Sequence, residues 1–300
     1  MNFIFNIIKL TFSFFKKIGE TCFTFAKIIY ENSYNVKSPK LNKKDNFIVL
    51  VNGPSLKNDV EKLKNEFKQN KLVVVNQFSV SNYFKELKPS HYVLLDGQYF
   101  FDKLEKPEFE KSLDILKNQV DWDITLYVPS RFKKSPFVTT VQKNPKITIQ
   151  LFNITLAKGG FEKINWRLFD NNFAMLQSQN VLISTLFNLI KNEAQNVYFF
   201  GAQNDWHLNA FVGKDNLVYL KQPHFYDEGK YTIHYKNIYT KEPSKFYEFL
   251  ASSVKVFKGY HTLRNYADYK GCNIYNCSKD SFIDAFPRLS DEEFIEKLNS

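Results

Sequence analysis

Asn52, Asn76 and Asp96 each close a run of apolar residues, in FIVLVN, LVVVN and HYVLLD. An amide offers both a donor and an acceptor, which suits the edge of a base or a ribose. The first run continues as Asn52-Gly53-Pro54-Ser55. In that turn glycine allows close backbone approach, proline fixes φ, and Ser55 is placed to cap a following helix, so that helix N–H groups point at a phosphate. A second cluster, KQPHFYDEGKYTIHYK, holds His224, Tyr226, Asp227, Tyr231, His234 and Tyr235. Imidazole takes up a proton near working pH, so a histidine in such a loop is a candidate general base.

These residues need a sheet to bring them together. FIVLV, LVVV, HYVLL, DITLYVPS, ITIQLFN and NVYFF are short, strongly apolar runs of the kind found in buried parallel strands. Between them lie helical patterns: Asn58 to Lys68, charged and amphipathic, and Asn180 to Lys191, with Val181, Leu182, Leu186, Leu189 and Ile190 on one side. Alternating strands and helices predict an α/β, Rossmann-like, doubly wound and mostly parallel sheet. In such sheets ligands sit outside the carboxyl ends of the strands, so Asn52, Asn76 and Asp96 are expected to converge on one crevice. Further on, HTLRNYADYK reads as a helix ended by Gly271, NIYNCS as a strand, and the stretch after it as a short helix capped near Ser278.

The chain of 300 residues carries a net charge of +10, with lysine spread throughout and no basic run of five or six. That pattern argues against a nucleic-acid arm and leaves anionic lipid or an anionic small molecule as partners. Cys22, Cys272 and Cys277 are odd in number and lack a pairing pattern, so free thiols in a reducing compartment are expected. No second pair of ligands accompanies Cys272 and Cys277, and no metal site is read from them.

Residues 1–31 form one helix with a narrow polar stripe of Asn2, Asn6, Lys9, Ser13, Lys16, Glu20, Thr24, Lys27 and Glu31. Lys9 and the Lys16-Lys17 pair interrupt it too early for a spanning helix, which needs about twenty apolar residues, and no small-residue cleavage site follows. One reading lays this helix in the inner leaflet, with lysines at anionic headgroups; the other buries it against the protein's own core or another subunit, as in a homo-oligomer. Residues 32–45 read as a polar linker, and 46–300 as the remaining domain, with a lid at about 207–245.

The NGPSL turn, the VNQF strand end and the FFGAQ strand, in this order, resemble the nucleotide-binding half of the glycosyltransferase family 42 sialyltransferases. The resemblance covers residues 45 to about 206 well and continues more loosely to about 286. It implies the sialyltransferase variant of the GT-A-like fold and transfer of sialic acid, or a related nonulosonic acid, from a CMP-sugar to a lipooligosaccharide or capsule acceptor. It further implies inversion at the anomeric carbon, no metal or other cofactor, and a peripheral place on the cytoplasmic face of the inner membrane. Asn52, Gly53, Pro54, Ser55, Asn76 and Gln77 then fall around CMP, with Asp96, Ser178, Gln179, Asn180, Gly201, Gln203, Asn276 and Ser278 completing the nucleotide site. Asp96 stands where the family has Asn, and Ser178-Gln179-Asn180 where it has Thr-Ser-Gly. The family's base is a histidine, here His224 or His234, and its pair of tyrosines stabilises the leaving phosphate, for which Tyr226 and Tyr235 are candidates; Asp227 lies in the same cluster as a further catalytic candidate. Asp205, Trp206 and His207 are read as lining the acceptor side.

The same turn also resembles proteins similar to the hydroxymethylpterin diphosphokinase MptE. That relationship implies phosphotransfer, with Mg²⁺ on carboxylates such as Asp96, Asp205 and Asp227. A third possibility is a noncatalytic membrane-associated component of polysaccharide assembly.

Overall fold

A computed structural model describes residues 2–31, 36, 45–104, 106–177, 180–221, 232–236, 240 and 242–299; the side chains of 2–4, 221 and 232–234 are outside that description. The expected linker falls almost entirely outside it.

Seven parallel strands form the main sheet: β1 (Asn46–Leu50), β2 (Lys71–Val75), β3 (His91–Val93), β4 (Ile124–Pro129), β5 (Ile147–Phe152), β6 (Asn196–Phe200) and β10 (Asn273–Asn276). Their spatial order is β10-β6-β1-β2-β3-β4-β5. The chain therefore builds outward from β1 to β5, returns across the sheet and adds β6 on the other side of β1. Leu50 is level with Val74 on one side and with Phe200 on the other, so the central strands end together. The α/β, Rossmann-like expectation holds.

Alternation along each strand divides the core in two. Phe47, Val49, Val73 and Val75 point to one face, where α7 (Val181–Lys191) supplies Leu182, Leu186 and Phe187 and α8 (Phe246–Lys270) supplies Tyr260, Leu263 and Tyr266. Leu168 and Phe169 of α6 (Glu162–Asp170) join that side. Ile48, Leu50, Leu72 and Val74 point to the other face. It is covered by α2 (Leu56–Gln69), α3 (Tyr83–Leu87), α4 (Pro107–Asp114), α5 (Pro136–Val141) and α9 (Asp291–Asn299). A Cβ at Gly259 would stand 3.0 Å from Ile183 Cδ1, so glycine there lets α8 lie close on α7. Within residues 207–245, where a lid was expected, lies a second, antiparallel sheet of β7 (Ala210–Val212), β8 (Val218–Lys221) and β9 (Thr232–His234).

The amino-terminal helix α1 (Asn2–Tyr30) packs with its polar stripe inward along its last third. Glu20 accepts a hydrogen bond from Gly160 N–H at 2.7 Å, Thr21 Oγ1 accepts one from Phe161 N–H at 3.2 Å, and Glu31 accepts one from the Thr155 hydroxyl. Thr24 is 1% exposed, whereas Phe23, Ile29 and Tyr30 are 67%, 72% and 90% exposed. From Phe5 to Phe15 the large apolar side chains stand in solvent. No described helix is long and apolar enough to cross a membrane.

Two local expectations fail. Ser55 does not cap α2 with its side chain, because it already has helical φ/ψ and its hydroxyl turns toward Asp59 and Gln203. No helix starts at Ser278: the loop after β10 runs on to α9, whose capping residue is Ser290, with Glu293 N–H on Ser290 Oγ and Ser290 N–H on the Glu293 carboxylate.

Candidate functional site at the reversal of strand order

Strand order reverses between β1 and β6, and the turns that leave these two strands lie against each other. Val51 N–H donates to Phe200 O at 2.9 Å and Gly53 N–H to Gly201 O at 2.8 Å. A Cβ on Gly53 would fall 2.3 Å from Gly201 O and 1.9 Å from Gln203 Oε1. Gly201 has φ +71°, and a Cβ there would meet Val51 O at 2.3 Å. The close approach that needs Gly53 is thus between two strand ends of the protein itself.

Behind the turn sits a polar chain in which Ser55 and Gln203, both expected in the site, are joined by Asp59 and Lys279, which were not. Gln203 Nε2 donates to Ser55 Oγ, and Ser55 Oγ donates to Asp59 Oδ2 at 3.4 Å. Lys279 Nζ lies 3.9 Å from Asp59 Oδ1 and 3.7 Å from Asp291. Burial pushes the Asp59 carboxyl up to about 6, with Lys279 opposing. Asp59 stands four residues after Ser55 on α2, a spacing that marks one helix face; its place in a charged run hid it. Gln203 is 8% exposed, and its Oε1 has no hydrogen-bond partner among the described residues. A buried carbonyl oxygen facing the turn without a donor is the kind of group a ligand N–H or O–H satisfies.

The structure brings Asn52, Asn76, Gln77 and Asp96 together along the carboxyl edge. Asn52 Nδ2 donates to Val75 O at 3.2 Å, and Asn76 Oδ1 accepts from Leu95 N–H at 3.0 Å and Asp96 N–H at 3.3 Å. Gln77 Nε2 donates to Asp96 Oδ2 at 3.3 Å, and Asp96 Oδ1 caps the following turn at Gln98 N–H. Strand β2 stops at Val75, one residue earlier than read, and Asn76 takes φ +42° to open a tight turn. These side chains clasp neighbouring strand ends at one level. Pro54 is exposed at the rim.

Asn180 caps α7, its Oδ1 accepting from Ile183 N–H at 3.0 Å, and its Nδ2 donates to Tyr260 OH at 2.8 Å. Asn204, with φ +53°, donates to the same hydroxyl at 2.7 Å. Burial pushes the Tyr260 hydroxyl up, so it stays a neutral anchor. Asn276 and Ser278 serve the backbone: Asn276 Nδ2 donates to Ile283 O and Ser281 Oγ, and Ser278 Oγ accepts from Ala202 N–H at 2.9 Å. They hold the Gly201–Gln203 turn from behind.

On the candidate acceptor side, Asp205 Oδ2 accepts from Asn209 Nδ2 at 3.2 Å, Trp206 packs on the core, and His207 stands edge-on to Phe282 at 4.6 Å. Tyr235 packs edge-on to Phe249 at 5.4 Å. β9 carries His234 level with Tyr219 of β8. Ser178, Gln179, His224, Tyr226 and Asp227 lie outside the described residues, as does the His234 side chain. His91 is half-buried at the amino edge of β3, its imidazole pushed down to about 4 by desolvation and Lys71, and His261 pairs with Asp284 in solvent. Among the described residues no three His, Cys, Asp or Glu side chains gather as metal ligands. The three cysteines are free, and burial pushes the Cys272 thiol up to about 12.

No family model matches the chain, and no curated protein matches it. Among solved structures, the MAf glycosyltransferase from Magnetospirillum magneticum AMB-1 aligns with 89% of this chain at a TM-score of 0.47 and 12% identity. The alignment takes in 37% of that protein's chain.

Proposed function

We propose that this protein is a glycosyltransferase that binds its nucleotide-sugar donor at the β1–β6 reversal. The donor is a CMP-activated sialic acid or related nonulosonic acid, and the acceptor is a cell-surface glycan. The observation that carries this reading is the pair of interlocked turns, Asn52–Ser55 and Gly201–Gln203, at the point where strand order reverses. That is where open α/β sheets take nucleotides. The carbonyl of Gln203 waits there for a donor, and the Asn52, Asn76 and Asp96 clasps give the crevice a rigid wall. The sequence resemblance supplies the CMP-sugar.

In this reading Ser55 and the backbone of the turn orient the phosphate, and a histidine of the lid, His224 or His234, removes the acceptor proton. Hydroxyls of Tyr226 or Tyr235 steady the negative charge that develops on departing CMP. The apolar outer face of α1 rests the enzyme on the cytoplasmic face of the inner membrane.

Thermal unfolding with CMP, CDP, UDP, GDP and ATP, each with and without Mg²⁺, tests the proposal, because a ligand that binds only the native state raises the melting temperature. A rise with CMP that does not depend on Mg²⁺ is expected. A rise only with ATP and Mg²⁺ would replace sugar transfer by phosphotransfer, and no rise with any nucleotide would favour a noncatalytic binding protein.

A further inference from the structure

A cleft of about 680 Å³ opens between α6, α8 and the loop that follows β5. Its lining includes Trp166, Phe169, Leu176, Ala251 and Val254. Lys158, Lys255 and Lys258 also line it, and none of the three is in an ion pair among the described residues. Glu162 is the one carboxylate in the lining, so the cleft keeps an excess of positive charge.

Two apolar surfaces flank this cleft. Phe246, Leu250 and Val254 are exposed at a spacing of four along α8, a single stripe that runs into Lys258. On the other flank Gly159 and Gly160 of the cleft wall are the residues on which α1 is anchored through Glu20 and Thr21, and Phe161 touches Phe14. The exposed phenylalanines and isoleucines of α1 thus begin beside the cleft mouth.

The cleft also adjoins the donor crevice. Gly259 lines it, and the next residue, Tyr260, holds Asn180 and Asn204; Gln177 lines it three residues before Asn180.

From this juxtaposition we infer that the cleft receives a phosphate-bearing membrane lipid. Its phosphate lies among Lys158, Lys255 and Lys258, and its hydrocarbon follows the α8 stripe and α1 back into the bilayer. Charge complementarity selects the phosphate, and the apolar flanks on both sides of the lysines select a lipid over a soluble anion. The inference deepens the proposed function, on which it rests: a lipid held here has its head group beside the donor crevice, so the acceptor class is a lipid-phosphate-linked glycan.

Binding of the full chain to phosphatidylcholine vesicles, with and without phosphatidylglycerol, tests the cleft without requiring turnover. The wild-type protein should prefer the anionic vesicles. The variant Lys158→Gln/Lys255→Gln/Lys258→Gln, all exposed positions, should lose about a hundredfold of affinity for them and keep its binding to pure phosphatidylcholine. Lys85→Gln/Lys117→Gln/Lys143→Gln removes the same charge from the opposite face and should lose less than about threefold. Equal losses in the two variants would mean diffuse attraction and overturn the site, as would an unchanged affinity in the cleft variant. The CMP-induced rise in melting temperature, measured on the same samples, should survive the cleft substitutions. Its absence from the wild type would defeat the donor reading while leaving the vesicle result to stand for the cleft alone.

Discussion

Asp59 is a carboxyl with no exposure to water, set behind Ser55 of the turn after β1 and opposite Lys279. Its carboxyl is raised from 3.8 to about 6, chiefly by burial. A group raised on folding is protonated more readily in the native state, so the native state loses stability as pH rises from about 4 to about 6 and is unaffected by this group above that. Asp59→Asn cannot titrate. Relative to the parent it should therefore gain up to about 3 kcal/mol across that window, measured by urea unfolding at pH values of about 4 and about 7. A relative stability that stays flat would mean that Asp59 ionises at its ordinary pKa because Lys279 offsets burial. The residue was not legible in advance because charge in an amphipathic helix usually faces solvent. Only the packing of α2 on β1 shows that this one side chain turns inward toward Ser55.

Among elements, α1 departs furthest from what its sequence suggests. Periodicity located the helix and its polar stripe, and amphipathic helices ordinarily keep such a stripe in water. Here Glu20, Thr24 and Glu31 lie against the domain because the loop after β5 offers N–H and hydroxyl donors, leaving Phe23, Ile29 and Tyr30 outside. The strands were readable from their apolar runs, since burial on both faces leaves no polar positions to blur them. Helix α8 was read only from His261 onward, because its first turns carry exposed Phe246, Tyr247 and Leu250 beside polar residues and give no clean stripe. The predicted cap at Ser278 failed for a comparable reason, the hydroxyl being drawn to Ala202 N–H in the turn that follows β6. Because the large side chains of residues 5–15 touch little of the domain, removing residues 1–18 should shift the melting temperature by less than about 3 °C, consistent with the small effect expected of exposed positions. The same truncation should abolish binding to pure phosphatidylcholine vesicles. A fall of about 10 °C or more, on the scale set by a loss of several kcal/mol, would instead assign the segment to the core.

At the scale of the whole molecule, the side on which the expected lid segment joins follows from where the chain leaves and re-enters the Rossmann-like body. Strand β6 ends at the carboxyl edge of the sheet, and α8 begins on that same side, since it must run back to the amino edge before β10 pairs with β6 from Asn273. The described strands between them, β7, β8 and β9, therefore belong to a segment that leaves and rejoins the body on the side of the proposed donor crevice. Both candidate bases fall by sequence between β6 and α8, whereas His91 lies at the amino edge of the sheet with its imidazole kept neutral by burial. A base that acts from the lid contributes to proton transfer and not to holding the nucleotide. His224→Ala/His234→Ala should thus lower the rate of sugar transfer by about a hundredfold to ten-thousandfold and leave the CMP-induced rise in melting temperature intact. Single substitutions assign the role, because the variant that retains the true base keeps most of the rate. If the double variant transfers sugar at the parental rate, proton removal does not pass through the lid histidines. If it loses the CMP response together with the rate, these side chains belong to the nucleotide site.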